Sequence, residues 1–176
     1  NIKARLGNEI KVYAENNHFK AADVQQIIHL VDMDGTFVDD SVIIEDETKD
    51  KFLYTLGSVI VPNRQVAIER NEHKRENLNT LSSRTSVMWN NIPYKIYYMS
   101  CNLDHVLHDK PNATDEEKKA NSLAFTEMYY DDINAFIKFI SESTFSQCTG
   151  YKESWDYIKQ DNHSLERNSN LGLCFI

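Results

Sequence analysis

The chain has little cysteine and no long apolar run, and these two features exclude several classes of protein. Its three cysteines, at positions 101, 148 and 174, are too few and too widely spaced for a disulfide framework or a CxxC metal pair. No apolar stretch approaches the length needed to cross a bilayer, and the N-terminus lacks the pattern of a signal peptide. We therefore expect a cytoplasmic protein without a membrane partner.

Length and charge limit the number of domains and the class of binding partner. The 176 residues suffice for one core, and we expect a single α/β domain over residues 1–176. With 27 acidic and 19 basic residues the net charge is -8, which argues against a protein dedicated to coating nucleic acid. No internal repeat or Gly/Ser linker divides the chain.

Hydrophobic patterning predicts the order of the first elements. Glu9–Ala14 alternates polar and apolar residues, which predicts a strand, and Phe19–Gln26 suits a short helix. Ile27–Val31 is apolar except for His29, which predicts a strand covered on both faces. Strand, helix and strand at this spacing predict a right-handed βαβ unit. We expect a three-layer fold, Rossmann-like or Toprim-like, whose mostly parallel sheet is flanked by helices.

Further elements follow from caps and breakers in the rest of the chain. Asn63 is placed to cap a helix that ends near Leu81, and Thr114 with Glu117 forms a capping box. The strands predicted here are 56–61, 94–100 and 171–176, and the helices are 63–81, 114–141 and 151–158.

Two carboxylates stand where the clearest strand ends. In Ile-Ile-His-Leu-Val-Asp-Met-Asp-Gly-Thr-Phe-Val-Asp-Asp, residues 27–40, Gly35 permits a turn that brings Asp32 and Asp34 together. Paired carboxylates repel each other, and Mg²⁺ or Mn²⁺ would offset that repulsion and polarise a phosphoryl oxygen. The alternative is that both acids, assisted by Thr36, cap a turn and bind nothing.

The stretch Leu30-Val31-Asp32-Met33-Asp34-Gly35-Thr36 resembles the first motif of haloacid-dehalogenase-like phosphohydrolases. This resemblance implies a phosphatase in which Asp32 is the nucleophile and Asp34 the general acid. It also implies a Ser or Thr after a second strand and a downstream Lys. Candidates for these are Ser100, Lys118, Lys119 and, for an acidic final motif, Tyr129-Tyr130-Asp131-Asp132.

The same stretch resembles the Asp-x-Asp motif of Toprim domains, in which a strand and a helix precede the acidic strand. This resemblance implies a Mg²⁺-dependent nuclease of the kind found in bacterial defence systems or mobile elements. The Glu-Gly strand of that family is missing, because Glu15 is followed by Asn16. We therefore expect an upstream strand and helix to lie outside this sequence, and phosphodiester cleavage is our leading prediction.

Other side chains complete the predicted site. We expect Asp39 to join Asp32 and Asp34 at the metal, His105 to act in catalysis, and Lys74 and Arg75 to contact substrate phosphate. Nucleic acid is the expected partner, and a homodimer is a further expectation. Cys101, Asp104, His105 and His108 crowd one strand-to-helix junction, where a zinc site is a weaker alternative. A non-catalytic interaction domain is the third possible function.

Overall fold

The computed structural model describes residues 1–86 and 89–176, which form a mixed α/β fold. Its strands are β1 (Ile27–Asp32), β2 (Ile43–Glu45), β3 (Leu53–Tyr54), β4 (Val59–Val61) and β5 (Tyr94–Met99). Its α-helices are α1 (Ile2–Asn16), α2 (Arg64–Ser82), α3 (Leu103–His108), α4 (Asp115–Tyr129), α5 (Ile133–Glu142) and α6 (Tyr151–Ile158).

β1 and β5 run parallel, and Asp32 at the end of β1 lies opposite Met99 at the end of β5. Both strands confirm the sequence prediction, but β1 is not covered on both faces. Ile28 and Leu30 are each 49% exposed, whereas His29 on the covered face hydrogen-bonds the Tyr94 hydroxyl at 2.8 Å. The apolar run predicted two covered faces, but two of its apolar residues lie on the exposed face and its one polar residue lies on the covered face.

Helices pack against both faces of β5. On one face, Ile96 and Tyr98 belong to a core that includes Leu78 of α2 and Trp155 of α6. On the other face, Tyr97 and Met99 pack with Val106 of α3 and Ile140 of α5. This double coverage explains why β5 is almost wholly buried.

The three short strands form a second sheet in the order β2-β4-β3. β2 is parallel to β4, and β3 is antiparallel to it. Val59 and Val61 of β4 are buried beside Val38 and Leu165, so this sheet has its own core next to the acidic turn. The described strands therefore form two small sheets, one parallel and one mixed.

The N-terminal prediction of a strand followed by a helix was wrong. Residues 9–14 belong to α1, which Asn1 caps by accepting a hydrogen bond from the Lys3 amide at 3.0 Å. Ile2, Leu6 and Ile10 recur at helical spacing and pack on the core, a pattern that the local alternation concealed. Gly7 lies buried within α1. The predicted helix 19–26 is only a 3₁₀ turn at Ala21–Asp23.

The predicted βαβ unit therefore involves later elements. α2 lies between β1 and β5 in the chain and packs against the core that includes β5. Asn63 caps α2 as predicted, by accepting a hydrogen bond from the Val66 amide at 3.0 Å. The parallel pair β1–β5 and its intervening helix thus replace the unit that the sequence predicted for residues 9–31.

In the C-terminal half, the predicted capping box is confirmed, but two of the predicted elements differ in the structure. The capping box of Thr114 and Glu117 is present, and α6 matches the predicted helix 151–158. The predicted single helix 114–141 is two helices, because Asp132 interrupts it and caps α5 through the Ala135 amide. The predicted strand 171–176 is a 3₁₀ turn at Leu171–Cys174. No helix in residues 1–86 or 89–176 is long and apolar enough to span a bilayer.

Candidate active site

The hydrogen bonding between β1 and β5 continues past Asp32 and shapes the acidic turn. The Met33 amide donates to Met99 O at 2.8 Å, and the Asp34 amide donates to Cys101 O at 2.7 Å. Asp34 and Gly35 then adopt left-handed backbone angles, with φ of 50° and 64°. This turn buries Met33 in the core while Asp32 and Asp34 remain accessible. The turn predicted from Gly35 is therefore present.

Asp32 and Asp34 line one cavity of about 220 Å³ beside the carboxyl end of β1. Two lysine side chains, Lys51 and Lys118, line the same cavity. Its remaining walls are Phe52, Leu53, Tyr54, Asn102, Pro111, Asn112 and Ala113. Carboxylates and ammonium groups around a small space suit an anionic group that is bound with a cation.

Three side chains hold Asp34. Lys74 Nζ lies 2.5 Å from Asp34 Oδ2, and the Tyr54 hydroxyl donates to Asp34 Oδ1 at 3.4 Å. Arg70 donates to the Asp34 carbonyl oxygen at 2.9 Å, and its guanidinium lies 4.3 Å from the centroid of the Phe52 ring. Arg70 and Lys74 are one helical turn apart on α2, so both reach the acidic turn.

Asp32 has an unusual proton affinity. Although Asp32 is exposed as a residue, partial burial of its carboxylate, followed by the nearby charge of Asp34, raises its pKa from 3.8 to about 6. Lys74 and the Leu103 amide oppose this shift without cancelling it. A raised carboxylate pKa beside a second carboxylate is a feature of functional sites.

The pKa of Asp32 predicts how stability depends on pH. Because the folded-state pKa of about 6 exceeds the ordinary value of 3.8, the folded chain binds the proton more tightly than the unfolded chain. The free energy of unfolding contributed by this group therefore falls as pH rises from about 4 to about 6. Asp32→Asn should be more stable than the wild type near pH 7, and this advantage should shrink toward pH 4. Urea unfolding across this pH range measures it, and an advantage that grows on acidification would contradict the assignment.

Asp39 and Arg75 lie outside this cavity, unlike the predicted arrangement. Asp39 accepts a hydrogen bond from the Ser41 amide at 2.8 Å and caps the 3₁₀ turn Asp40–Val42. The Ser41 side chain, and then its amide, lower the Asp39 pKa. Arg75 Nη2 lies 3.8 Å from Asp40 Oδ1. Lys74 does reach the site, but its contact there is with Asp34. The predicted roles of Asp39 and Arg75 thus find no support in their positions.

His105 and Ser100 are buried and do not line the acidic cavity. Burial lowers the His105 pKa, its Nε2 lies 3.9 Å from Asp109 Oδ1, and its Nδ1 has no hydrogen-bond partner within the described ranges. The Ser100 hydroxyl accepts a hydrogen bond from the Asn168 amide at 2.7 Å, which ties the end of β5 to a later loop. The positions of both residues indicate structural rather than direct catalytic roles.

The alternative zinc site also lacks support. Cys101 is buried, and burial together with Asp34 and Asp32 raises its pKa to about 12, which opposes the thiolate that a metal needs. In the described part of the chain, no three His, Cys, Asp or Glu side chains are arranged to hold a metal ion. Asp104 accepts a hydrogen bond from Asn121 instead.

Sequence reasoning missed Lys51, Tyr54, Asn102 and Asn112. Asn112 exchanges two 2.8 Å hydrogen bonds with the backbone of Tyr54, which joins β3 to the loop before α4. Asn102 caps α3 through the His105 amide and donates to Pro111 O at 2.7 Å. Asn102 had one usable signal, since it follows the end of β5. The other three residues join the site only through tertiary contacts.

Lys118 was one of two candidates for a downstream lysine, and the structure separates them. Lys118 lines the acidic cavity, whereas Lys119 does not. Asp132 of the candidate acidic motif caps α5.

Comparison of the chain with family models, curated proteins and solved structures finds no match.

Proposed function

We propose that this chain is a Mg²⁺-dependent phosphatase that acts on phosphomonoesters, similar to haloacid-dehalogenase-like phosphohydrolases. One observation carries the proposal: Asp32 and Asp34 share a small cavity with Lys51 and Lys118 at the carboxyl end of a parallel strand. Ligands of parallel sheets bind at this end. Helices on both faces of β5 support the three-layer, Rossmann-like architecture that belongs to the proposal.

The Toprim-like nuclease is the weaker hypothesis because of the N-terminal structure. That resemblance depended on a strand and a helix before β1, and residues 9–14 instead belong to the helix α1. Arg75, predicted to contact the phosphates of a nucleic acid, pairs with Asp40. We therefore favour a monoester substrate over a polynucleotide.

The donor groups fit Mg²⁺ better than a metal that demands a cage of protein ligands. Mg²⁺ commonly uses one or two carboxylates, retained waters and substrate phosphate. Asp32 and Asp34 supply two carboxylates, whereas the amide oxygens of Asn102 and Asn112 already accept backbone hydrogen bonds. When bound, the ion would polarise the phosphoryl group and favour the ionised form of Asp32. Mn²⁺ satisfies the same donors.

The proposed reaction has two steps. A carboxylate oxygen of Asp32 attacks phosphorus, the bond from phosphorus to the alcohol oxygen breaks, and an aspartyl phosphate forms. The ion pair with Lys74 Nζ at 2.5 Å keeps Asp34 ionised, so Asp34 lacks the proton that the resemblance requires of it. The departing alkoxide instead takes its proton from a water molecule held by the Asp34 carboxylate. Water then hydrolyses the aspartyl phosphate, which releases phosphate and restores the Asp32 carboxylate.

Lys51 and Lys118 have a binding role in this scheme. Neither side chain forms a salt bridge with Asp32 or Asp34 among the described residues, although both line their cavity. Their ammonium groups are therefore available to the equatorial oxygens of a phosphoryl group. Lys74 is the cation committed to the protein's own carboxylate.

Lys118→Gln should raise the KM for a phosphomonoester about tenfold, because one charged contact to phosphate is lost. Lys119→Gln is the matched control, since it removes the same charge from the next residue without altering the cavity. Hydrolysis of p-nitrophenyl phosphate with Mg²⁺ measures both variants. Equal KM values in the two variants would exclude Lys118 from the phosphate site.

The same assay with bis-p-nitrophenyl phosphate tests the substrate class. A monoesterase should hydrolyse p-nitrophenyl phosphate at least about tenfold faster than the diester, since a cavity of about 220 Å³ leaves little room for a second ester group. Faster cleavage of the diester or of DNA would restore the nuclease hypothesis. No hydrolysis of any substrate with Mg²⁺ or Mn²⁺ would favour a non-catalytic domain.

A further inference from the structure

A second, larger cavity lies at the opposite end of β5. Its volume is about 590 Å³, and it adjoins Tyr94 and Lys95 at the start of the strand, the end of α2 and one face of α6. Six residues of extended chain span roughly 17 Å between the two ends of β5. The two cavities share no lining residue, so this one is separate from the acidic site.

The charged residues that line this cavity are mostly positive, whereas the whole chain is negative. Four cations line it, namely Arg84, Lys95, Lys152 and Lys159, against one acid, Asp156. The whole chain carries a net charge of -8. In the part of the chain that the structure describes, none of the four cations forms a salt bridge with a carboxylate. The residues that line this cavity therefore carry an excess of positive charge.

Aromatic side chains form the apolar part of the wall. Tyr151, which is half-buried, and the exposed Pro93 line the cavity, whereas the lining residues Tyr94 and Trp155 are buried in the core behind it. Tyr151 is held in place because its hydroxyl donates to Ile96 O at 2.8 Å, and Lys95 Nζ lies 5.6 Å from the centroid of its ring. Lys159 Nζ lies 6.0 Å from the Trp155 ring centroid. Cations and aromatic groups thus border the same space.

We propose that this second cavity binds a nucleoside polyphosphate. The volume lies in the range of small-molecule sites, the cations match several phosphate charges, and Tyr151 with Pro93 offers an apolar surface to a flat base. The site differs in position and charge from the acidic cavity, so the inference does not depend on the proposed phosphatase activity. Its occupant is a ligand of the protein rather than its substrate.

Calorimetric titration with ATP in EDTA tests the site while metal-dependent hydrolysis is absent. ATP should bind, adenosine and tripolyphosphate should each bind more weakly, and added salt should weaken ATP binding. Lys95→Gln/Lys152→Gln should lower ATP affinity at least about tenfold, because two charged contacts are lost. Both lysines are exposed, so the fold should tolerate the change.

The matched control is Lys119→Gln/Lys138→Gln, which removes two exposed lysines that lie outside this cavity. It should bind ATP as the wild type does. Equal weakening in the two double variants, no ATP binding at millimolar concentration, or equal affinity for ATP and tripolyphosphate would overturn the proposal. A single-stranded oligonucleotide that binds more tightly than ATP would also overturn it in favour of a nucleic-acid surface.

Discussion

Asp32→Asn is expected to lower phosphomonoester turnover by at least about 10³-fold, because the amide cannot serve as the nucleophile. Asp32 is exposed as a residue at the end of β1, while partial burial of its carboxylate and the charge of Asp34 disfavour the ionised form. The substitution should therefore leave the fold intact and raise its stability near neutral pH. Steady-state hydrolysis of p-nitrophenyl phosphate with Mg²⁺ and thermal unfolding measure the two effects separately.

Asp39→Asn is the matched control for this loss. Asp39 carries the same carboxylate seven residues later, but it caps a 3₁₀ turn and does not line the cavity. Asn is an equally good capping residue, so both stability and turnover should stay near wild type. Loss of turnover in Asp39→Asn equal to that in Asp32→Asn would show that the metal site includes Asp39, as the sequence first suggested.

Gly35→Ala is expected to lower the free energy of unfolding by about 2–4 kcal/mol, from backbone strain and overpacking together. Gly35 has φ of +64°, and an added Cβ would lie 2.9 Å from both Leu165 Cδ2 and Val59 Cγ2. Leu165 and Val59 are buried in the core beside the second sheet, so neither has free space to move into. Urea unfolding monitored by circular dichroism gives the free energy.

Gly57→Ala provides the comparison for this effect. Apart from its chain neighbours, no atom lies within 4 Å of a Cβ at that position, and its φ is not in the left-handed region. Alanine there should be neutral or stabilise the fold by up to about 1 kcal/mol, through the unfolded state. Similar free energies for the two variants would mean that Gly35 is not needed for the close packing of the acidic turn.

The sequence predicted the acidic turn and the strand beside it because the signals were local. β1, β5 and α2 each have their own apolar pattern or cap, and the glycine of the turn follows the acids directly. α1 was misread because a short alternation in residues 9–14 overlaps a helical spacing that begins at Ile2. Reading the longer window would have found the helix.

The cavity walls required knowledge of the fold. Tyr54 and Asn112 are 58 residues apart in sequence and meet through two hydrogen bonds, which no local pattern encodes. Lys74 and Arg75 are adjacent on α2 but contact different acids, and the reason is simpler. One residue turns a helix by about 100°, so Lys74 faces Asp34 while Arg75 faces Asp40. The number of basic residues in α2 could not show which of the two reaches the acidic turn.

Trapping of beryllium fluoride tests most directly the claim that Asp32 is a phosphoryl acceptor. Fluorine NMR of the chain with Mg²⁺, beryllium and fluoride should show a bound species in the wild type and in Asp39→Asn, and none in Asp32→Asn. A bound species that persists in Asp32→Asn, or none in the wild type at saturating Mg²⁺, would contradict the account.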